Sequence, residues 1–324
     1  MKQVLHTYLT RIFFSLTLIF AINSLGQAQM KFETGINVGP SNFLGDLGGT
    51  MGKGRTFIKD NNFAMTRLMK GVFFSVAPTE FVNFRVSLSF GRLEGADSVI
   101  NGKGGMEEMR KFRNLSFRSN IAELYAGAEF YPTVFFEQDG NDVFHKIRPY
   151  GIIGVGVFHF NPQTVYTDPS GNKQWVNLHD LHTEGQGMPN HPDRKQYSLT
   201  QVNVPYGIGI KYFISEKFNI GFEIINRKTF TDYIDDVSTK YVADQDFYNY
   251  FGAGSHTADI AVQVANRPPQ GAITKRFEAG SQRGTPTNND AYYATTVKLG
   301  IRLGGDGESN RHSLNKTRCP IIRF

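Results

Sequence analysis

Apolar and polar residues alternate one for one in eight separate stretches of the chain. The clearest is 81–94. There Val82, Phe84, Val86, Leu88 and Phe90 share one face, and Asn83, Arg85, Ser87, Ser89 and Gly91 share the other. A period of two means a strand with one apolar and one polar side. The same pattern runs through 31–38, 202–214, 218–227 and 293–303. Three stretches are less regular. In 64–76, Lys70 falls on the face of Val72, Phe74 and Val76, which predicts a bulge or a strand end. In 114–131 the alternation shifts phase near Ile121, and 150–160 is apolar on both faces.

The polar faces carry full charges: Arg85, Glu123, Glu129, Lys211, Glu223, Arg227, Lys298 and Arg302. Aimed into a soluble core, these would be costly unless paired. Inside a narrow barrel they can pair with one another while the apolar faces meet lipid. An eight-stranded barrel is just wide enough for side chains to fill it, so the expected interior is a plug of ion pairs. The connections alternate in the manner of an outer-membrane barrel. Those at 40–63, 95–112, 161–200 and 232–291 are long, and those at 77–80 and 215–217 are short, with 132–147 between. Periplasmic turns are short and extracellular loops long. The chain is therefore expected to be all-β: a transmembrane antiparallel β-barrel of about eight strands, with N- and C-termini periplasmic and long extracellular loops. Ten strands are the other count the pattern permits, because 260–264 also alternates. Tyr150, Phe160, Tyr206, Tyr212 and Tyr292 lie near strand ends, where an aromatic girdle would sit.

The N-terminus supports export. Lys2 and Arg11 accompany an apolar run over 12–25, and Gly26-Gln27-Ala28 places small residues at −3 and −1 of a cut before Gln29. This is the three-part pattern of a secretory signal peptide. The expected organisation is a leader over 1–28, an outer-membrane barrel over 29–304 and a periplasmic tail over 305–324. Removing the leader lowers the formal charge from +6 to +4. With basic residues scattered among acidic ones, nothing suggests nucleic acid as a partner. The contact expected first is outer-membrane lipid. The 28 Phe, 14 Tyr and 34 Gly favour strands and turns over helices.

Candidate chemistry is sparse. Asp232, Asp235 and Asp236 are clustered carboxylates of a kind that suits a hard cation, but the spacing lacks the turn of a calcium loop, and the start of a structured loop is the better reading. His179, Asp180, His182, Glu184 and His191 are metal-capable but lie in a Gly/Pro/Asn-rich loop without ligand spacing. His159, Ser198 and Asp168 are the residues from which a hydrolytic triad could be assembled, with no pattern bringing them together. No enzyme activity and no cofactor or metal are expected. Cys319 is the single cysteine, in a tail with Arg311, Lys316 and Arg318. A lone cysteine in an exported chain implies an intermolecular disulfide or a free thiol.

Several segments resemble a known family. They are Gly35-Ile-Asn-Val-Gly39, Asn42-Phe-Leu-Gly-Asp46, Asn114-Leu-Ser-Phe-Arg-Ser119, Glu123-Leu-Tyr-Ala-Gly-Ala-Glu-Phe-Tyr131, Pro205-Tyr-Gly-Ile-Gly-Ile-Lys211, Asn219-Ile-Gly-Phe-Glu223, Thr231-Asp-Tyr-Ile-Asp-Asp-Val-Ser238 and Arg318-Cys-Pro320. Together they resemble the PorG-like outer-membrane barrels of Gram-negative bacteria with a type IX secretion system. The most specific parts are Asp232, Tyr233, Asp235 and Asp236, and the terminal Arg318, Cys319 and Pro320. The resemblance implies a non-enzymatic scaffold in the cell outer membrane. Its periplasmic tail would anchor the ring of the secretion machine, whose lipoprotein is the implied partner, with Cys319 as a possible disulfide link. The alternative is a surface-binding or structural barrel that acts through its long extracellular loops.

Overall fold

The computed structural model describes residues 30–47, 63–99, 107–137, 143–268 and 276–303. Ten strands run in chain order as β1 (Lys31–Leu44), β2 (Arg67–Ala77), β3 (Val82–Ala96), β4 (Ser116–Phe130), β5 (Ile147–His159), β6 (Pro162–Thr167), β7 (Lys173–Asn177), β8 (Thr200–Phe213), β9 (Phe218–Thr229) and β10 (Ala291–Leu303). Eight of them close a barrel. Neighbours follow the order β3-β2-β1-β10-β9-β8-β5-β4, and β3 pairs with β4 to complete the ring. Every pairing is antiparallel, and first and last strands join over Phe32↔Leu303 to Leu44↔Ala291. Closure satisfies every strand edge, which lipid demands of a spanning sheet.

The outer surface is an apolar belt. Val86, Leu88, Val155, Val157, Ile208, Ile210, Val297 and Leu299 are all exposed, Ile208 to 69%. A continuous apolar surface of this kind suits lipid and not water. Among the described residues no helix is long and apolar enough to cross a membrane, so the strands do the spanning. Both strand termini, Lys31 and Leu303, lie at the short-turn end, which is the periplasmic end for this class.

Strands β6 and β7 form a hairpin above the membrane. It extends the wall at Arg118↔Gln163 without entering the barrel. The additional strand pair thus comes from the 161–200 loop and not from 232–291. The segment 260–264, whose alternation allowed a strand, lies within a helix. The helices are α1 (Glu107–Arg113), the single turn α2 (Val143–Lys146), α3 (Asp244–Phe251) and α4 (His256–Ala265). Helix α4 buries Ala258, Ile260, Ala261, Val264 and Ala265. Those spacings of one, three and four residues mark a helix face, while the alternation of Ile260, Val262 and Val264 alone is too short to separate the two periods.

Of the two readings of Lys70 the strand end holds, and two further expectations change. No bulge interrupts β2, whose register with β1 is continuous from Ser41↔Arg67 to Lys31↔Ala77. Lys70 is exposed near the upper end of the strand, beside exposed Leu68. Nor does β4 change phase. Its odd-numbered residues Phe117, Ser119, Ile121, Glu123 and Tyr125 all face inward. What changes at Ile121 is the inward environment, apolar above and ionic below. Finally, Tyr150, Tyr292 and Phe160 are fully buried and belong to the interior. Of the five aromatics expected in a girdle, only Tyr206 and Tyr212 are exposed on the outer face.

Candidate functional site

The lumen is filled by buried carboxylates and cations: Glu33, Glu123, Glu129 and Glu223 with Arg85, Lys211, Arg227 and Lys298, and Arg148 at the lower mouth. Arg85 Nη1 lies 2.8 Å from Glu223 and 3.1 Å from Glu129. Lys298 Nζ lies 3.2 Å from Glu129 and 3.6 Å from Glu223. Arg227 meets Glu123 at 3.1 Å, and Lys211 meets Glu33 at 3.1 Å. These pairs are struts. β3 and β4 lie across the ring from β9 and β10, so the Arg85–Glu129–Glu223–Lys298 quartet ties opposite walls. Remaining lone pairs are taken up by neutral donors. Asn83 donates to Glu129 at 2.7 Å, Tyr150 OH to Glu223 at 2.8 Å, Tyr292 OH to Glu123 at 3.0 Å, and Asn203 to Glu123 at 2.7 Å. Seven of the eight charges expected to face the interior take part, while half-buried Arg302 stacks on the Phe213 ring at 4.2 Å, at the lower mouth. Small residues make the space. A Cβ on Gly209 would stand 2.5 Å from Tyr150 Cζ, so glycine lets that ring lie flat against β8.

Below the plug, a small basin of about 40 Å³ opens at the periplasmic mouth, lined among others by Lys31, Glu33, Glu80, Arg148, Lys211 and Arg302. Arg148 bridges Glu137 at 2.8 Å and Glu80 at 3.3 Å, and Lys31 meets Glu80 at 3.1 Å. This is a charged, polar surface facing the side where the chain leaves β10.

Above the plug, the long loops pack into a cap with its own core. Helices α3 and α4 contribute Phe247, Ala258, Ala261 and Val264, which join Ile234, Val237, Phe158, Phe160, Phe117 and Tyr292. At the seam between barrel and cap sits the Asp-Tyr-Ile-Asp-Asp segment. Asp236 accepts hydrogen bonds from Tyr197 OH at 2.8 Å and from Thr183. Arg283 lies 2.9 Å from Glu184, and Glu184 in turn accepts from the Ser238 and Thr239 backbone at 2.9 and 2.8 Å. Arg113 pairs with Asp97 at 2.8 Å. Asp235 accepts from Leu47 N at 2.8 Å and Val237 N at 3.0 Å, and Asp290 accepts from Ile234 N at 2.8 Å. Burial, with repulsion from Asp46 and Glu184, pushes Asp232 up to about 8. Burial raises Asp236 to about 6, against the pull of Arg283. Asp235 and Asp290 are held well above the usual carboxylate range by burial and by the charge of neighbouring carboxylates. Sequence patterning missed Glu33 and Arg148 as paired charges, and it missed Asp97, Arg113, Arg283 and Asp290 altogether. The cap residues lie in or beside loops where no period signals a buried side.

The other candidates are dispersed. His159 contacts Thr200, Ser198 caps its own turn at Thr200 O, and Asp168 closes the β6–β7 turn onto Asn172. His179 contacts the Tyr197 carbonyl, His182 the Gln186 carbonyl, and His191 contacts Asp246. Among the described residues no three His, Cys, Asp or Glu side chains stand at metal-coordinating spacing. The segments expected to be a leader and a tail, the latter with Arg318, Cys319 and Pro320, lie outside the described residues.

The fold and its ion-paired interior define a small outer-membrane β-barrel with a side-chain-filled lumen. The chain belongs to the family described as a domain of unknown function, DUF6089, whose pattern matches residues 10–178. No curated protein matches it significantly. Among solved structures it is similar to Ail, the attachment invasion locus protein of Yersinia pestis, at 9% identity over 84% of this chain and 99% of that one, with a TM-score of 0.34. Neisserial surface protein A is similar at 6% identity over 84% and 97%, TM-score 0.35. So is a major outer membrane protein of Thermus thermophilus, at 11% identity over 85% and 99%, TM-score 0.36. These likenesses are too distant to transfer a role.

Proposed function

We propose that this barrel is a non-enzymatic anchor in the outer membrane that holds a periplasmic ring of the type IX secretion machinery through its periplasmic face and tail. The observation that carries the reading is the filled lumen. Charged side chains strutted across the ring leave no route for a solute, so the working surfaces of the barrel are its two ends. The charged basin of Lys31, Glu80, Arg148 and Arg302 faces the periplasm, at the barrel end where β10 finishes at Leu303. The segmental resemblance supplies the identity of the partner, the ring lipoprotein, and the idea of a covalent link through Cys319.

A non-reducing gel of outer membranes from cells with the wild type or Cys319→Ser tests this. A higher-mass band that vanishes on reduction and in the variant, and that contains the ring lipoprotein, is the expected result. Monomer alone in both strains removes the disulfide. If deletion of 305–324 also leaves secretion intact, the anchor reading fails.

A second reading, a barrel that binds a ligand through its extracellular side, is favoured by the packed core of the cap. Loops that merely connect strands do not bury a two-helix unit such as α3 and α4. Deleting the tail spares this function and abolishes the first.

A further inference from the structure

The lumen and the cap differ in charge balance. In the barrel four buried carboxylates meet five buried cations, counting Arg148 at the lower mouth. In the cap six buried carboxylates, Asp97, Glu184, Asp232, Asp235, Asp236 and Asp290, share two buried guanidiniums, Arg113 and Arg283. Those two are committed to Asp97, Glu184 and Asp236. Asp232, Asp235 and Asp290 form no ion pair among the described residues. Half-buried Asp46, whose carboxylate accepts from Thr285 N at 2.6 Å, lies beside them, since its chain neighbours contact the same cluster. A Cβ on Gly45 would stand 2.1 Å from Asp290 Oδ1, and Leu47 N donates to Asp235 at 2.8 Å.

The uncommitted oxygens lie on two of these residues. Both carboxylate oxygens of Asp232 and Oδ1 of Asp290 are buried without a hydrogen-bond partner, on side chains only 6% and 1% exposed. The Ser238 hydroxyl lies near enough to Asp232 to favour its charge but does not complete a hydrogen bond of normal geometry. Asp290 N donates to Thr231 O at 2.9 Å, which sets Asp290 against the residue that precedes Asp232. A buried carboxylate without a donor or a counter-charge is costly. Three buried oxygens without partners, in a cluster of carboxyl groups whose charge burial disfavours, are answered either by shared protons or by a cation.

We propose that the seam between barrel and cap binds a hard divalent cation of the calcium type, ligated by Asp232 and Asp290, with Asp235 and Asp46 supplying further negative charge. Oxygen-only ligation suits calcium. Two direct carboxylate ligands, with water or backbone carbonyls completing the shell, agree with the absence of a three-carboxylate cage among the described residues. The ion would clamp the start of the β1–β2 loop, the segment after β9 and the residue before β10, three points of the chain on which the cap is hung. This inference is independent of the periplasmic role.

The test uses the full chain, folded in detergent micelles and stripped with EDTA. Calcium is titrated calorimetrically, and cap cleavage by protease is followed with and without the ion. One calcium per chain is expected, with a dissociation constant of roughly 10⁻⁴–10⁻³ M, as in extracellular calcium modules. Saturation slows cap cleavage several-fold. Asp232→Asn and Asp290→Asn weaken binding tenfold or more and abolish the protection, whereas Asp168→Asn, in the exposed hairpin turn, changes neither. No calcium binding by the folded wild type overturns the proposal whatever the variants do. So does equal affinity in a folded Asp232→Asn. Greater cap stability in Asp232→Asn than in calcium-free wild type, without calcium binding in the wild type, assigns the cluster to shared protons and also refutes the site.

Discussion

Replacing Arg85 by methionine isolates the energetics of the lumen. Arg85 and Lys298 neutralise Glu129 and Glu223 in a quartet whose contacts run from 2.8 to 3.6 Å. All four side chains are within 1% of complete burial. Arg85→Met retains most of the side chain's bulk but leaves two carboxylates sharing one ammonium. Removing one partner of a buried pair costs about 3–5 kcal/mol, chiefly because the remaining charge is stranded. Arg85→Met with Glu223→Gln removes one charge of each sign and leaves Lys298 paired with Glu129 at 3.2 Å. The double variant should therefore be more stable than the sum of the single losses, by a coupling of about 1–3 kcal/mol. Unfolding in urea from detergent micelles is best followed by far-ultraviolet circular dichroism and by the mobility difference between folded and boiled protein. The single tryptophan, Trp175, sits on the β6–β7 hairpin and reports the cap side instead. An Arg85→Met variant within about 1 kcal/mol of wild type, below the range for stranded charges, would show that water already reaches the quartet. Strict additivity in the double variant would refute the strut.

Two other outcomes test the remaining layers. Reconstituted in planar bilayers, the wild type should give no steady open channel, because the ion-paired side chains close the lumen. A stable conductance contradicts the filled interior directly. Ala261→Asp, at a position 0% exposed in α4, places an unpaired carboxylate in the cap core, where burial without partners is costly. Rapid proteolysis of 230–290 is expected while the barrel keeps its heat-dependent mobility. Loss of both would mean that cap and barrel fold as one unit.

How much of this was legible beforehand follows from which physical signals each part carries. In the strands, the pleat fixes one side to lipid and one to the lumen, so Arg85, Glu129, Glu223 and Lys298 could be assigned to a common interior by parity alone. Their pairing could not be read that way, because it depends on which walls oppose one another in a ring of eight. In β4 the parity was misread at Ile121 because a single geometric side changes solvent along its length. It faces the cap core at Phe117 and Ile121 and the ionic plug at Glu123. The same cause hid Tyr292 and Phe160, whose strand-end positions suggested the membrane interface while their side chains roof the lumen. Loop residues such as Arg113 and Arg283 carry no periodic signal, and only tertiary packing reveals them as the centre of a buried network.

The cap and the lumen confront the same cost of buried charge with different resources. Closure of the barrel fixes eight strands at short range, so each inward carboxylate is answered by a cation from another strand, and a paired interior follows from strand parity and register. The cap is built from loops, whose carboxylates are placed by what they hold. Asp235 receives the backbone of 47 and 237, Asp290 that of 234, and Glu184 that of 238 and 239. Carboxylates serve there as acceptors that gather loop N–H groups with no secondary structure to satisfy them. That duty accounts for the abundance of acid but not for its charge, since asparagine side chains also accept from N–H groups. Asp232 sharpens the distinction, because it holds no backbone group at all among the described residues. A buried carboxyl that organises no chain, beside others that do, is what the proposed cation accounts for; without an ion, burial keeps it protonated near neutral pH.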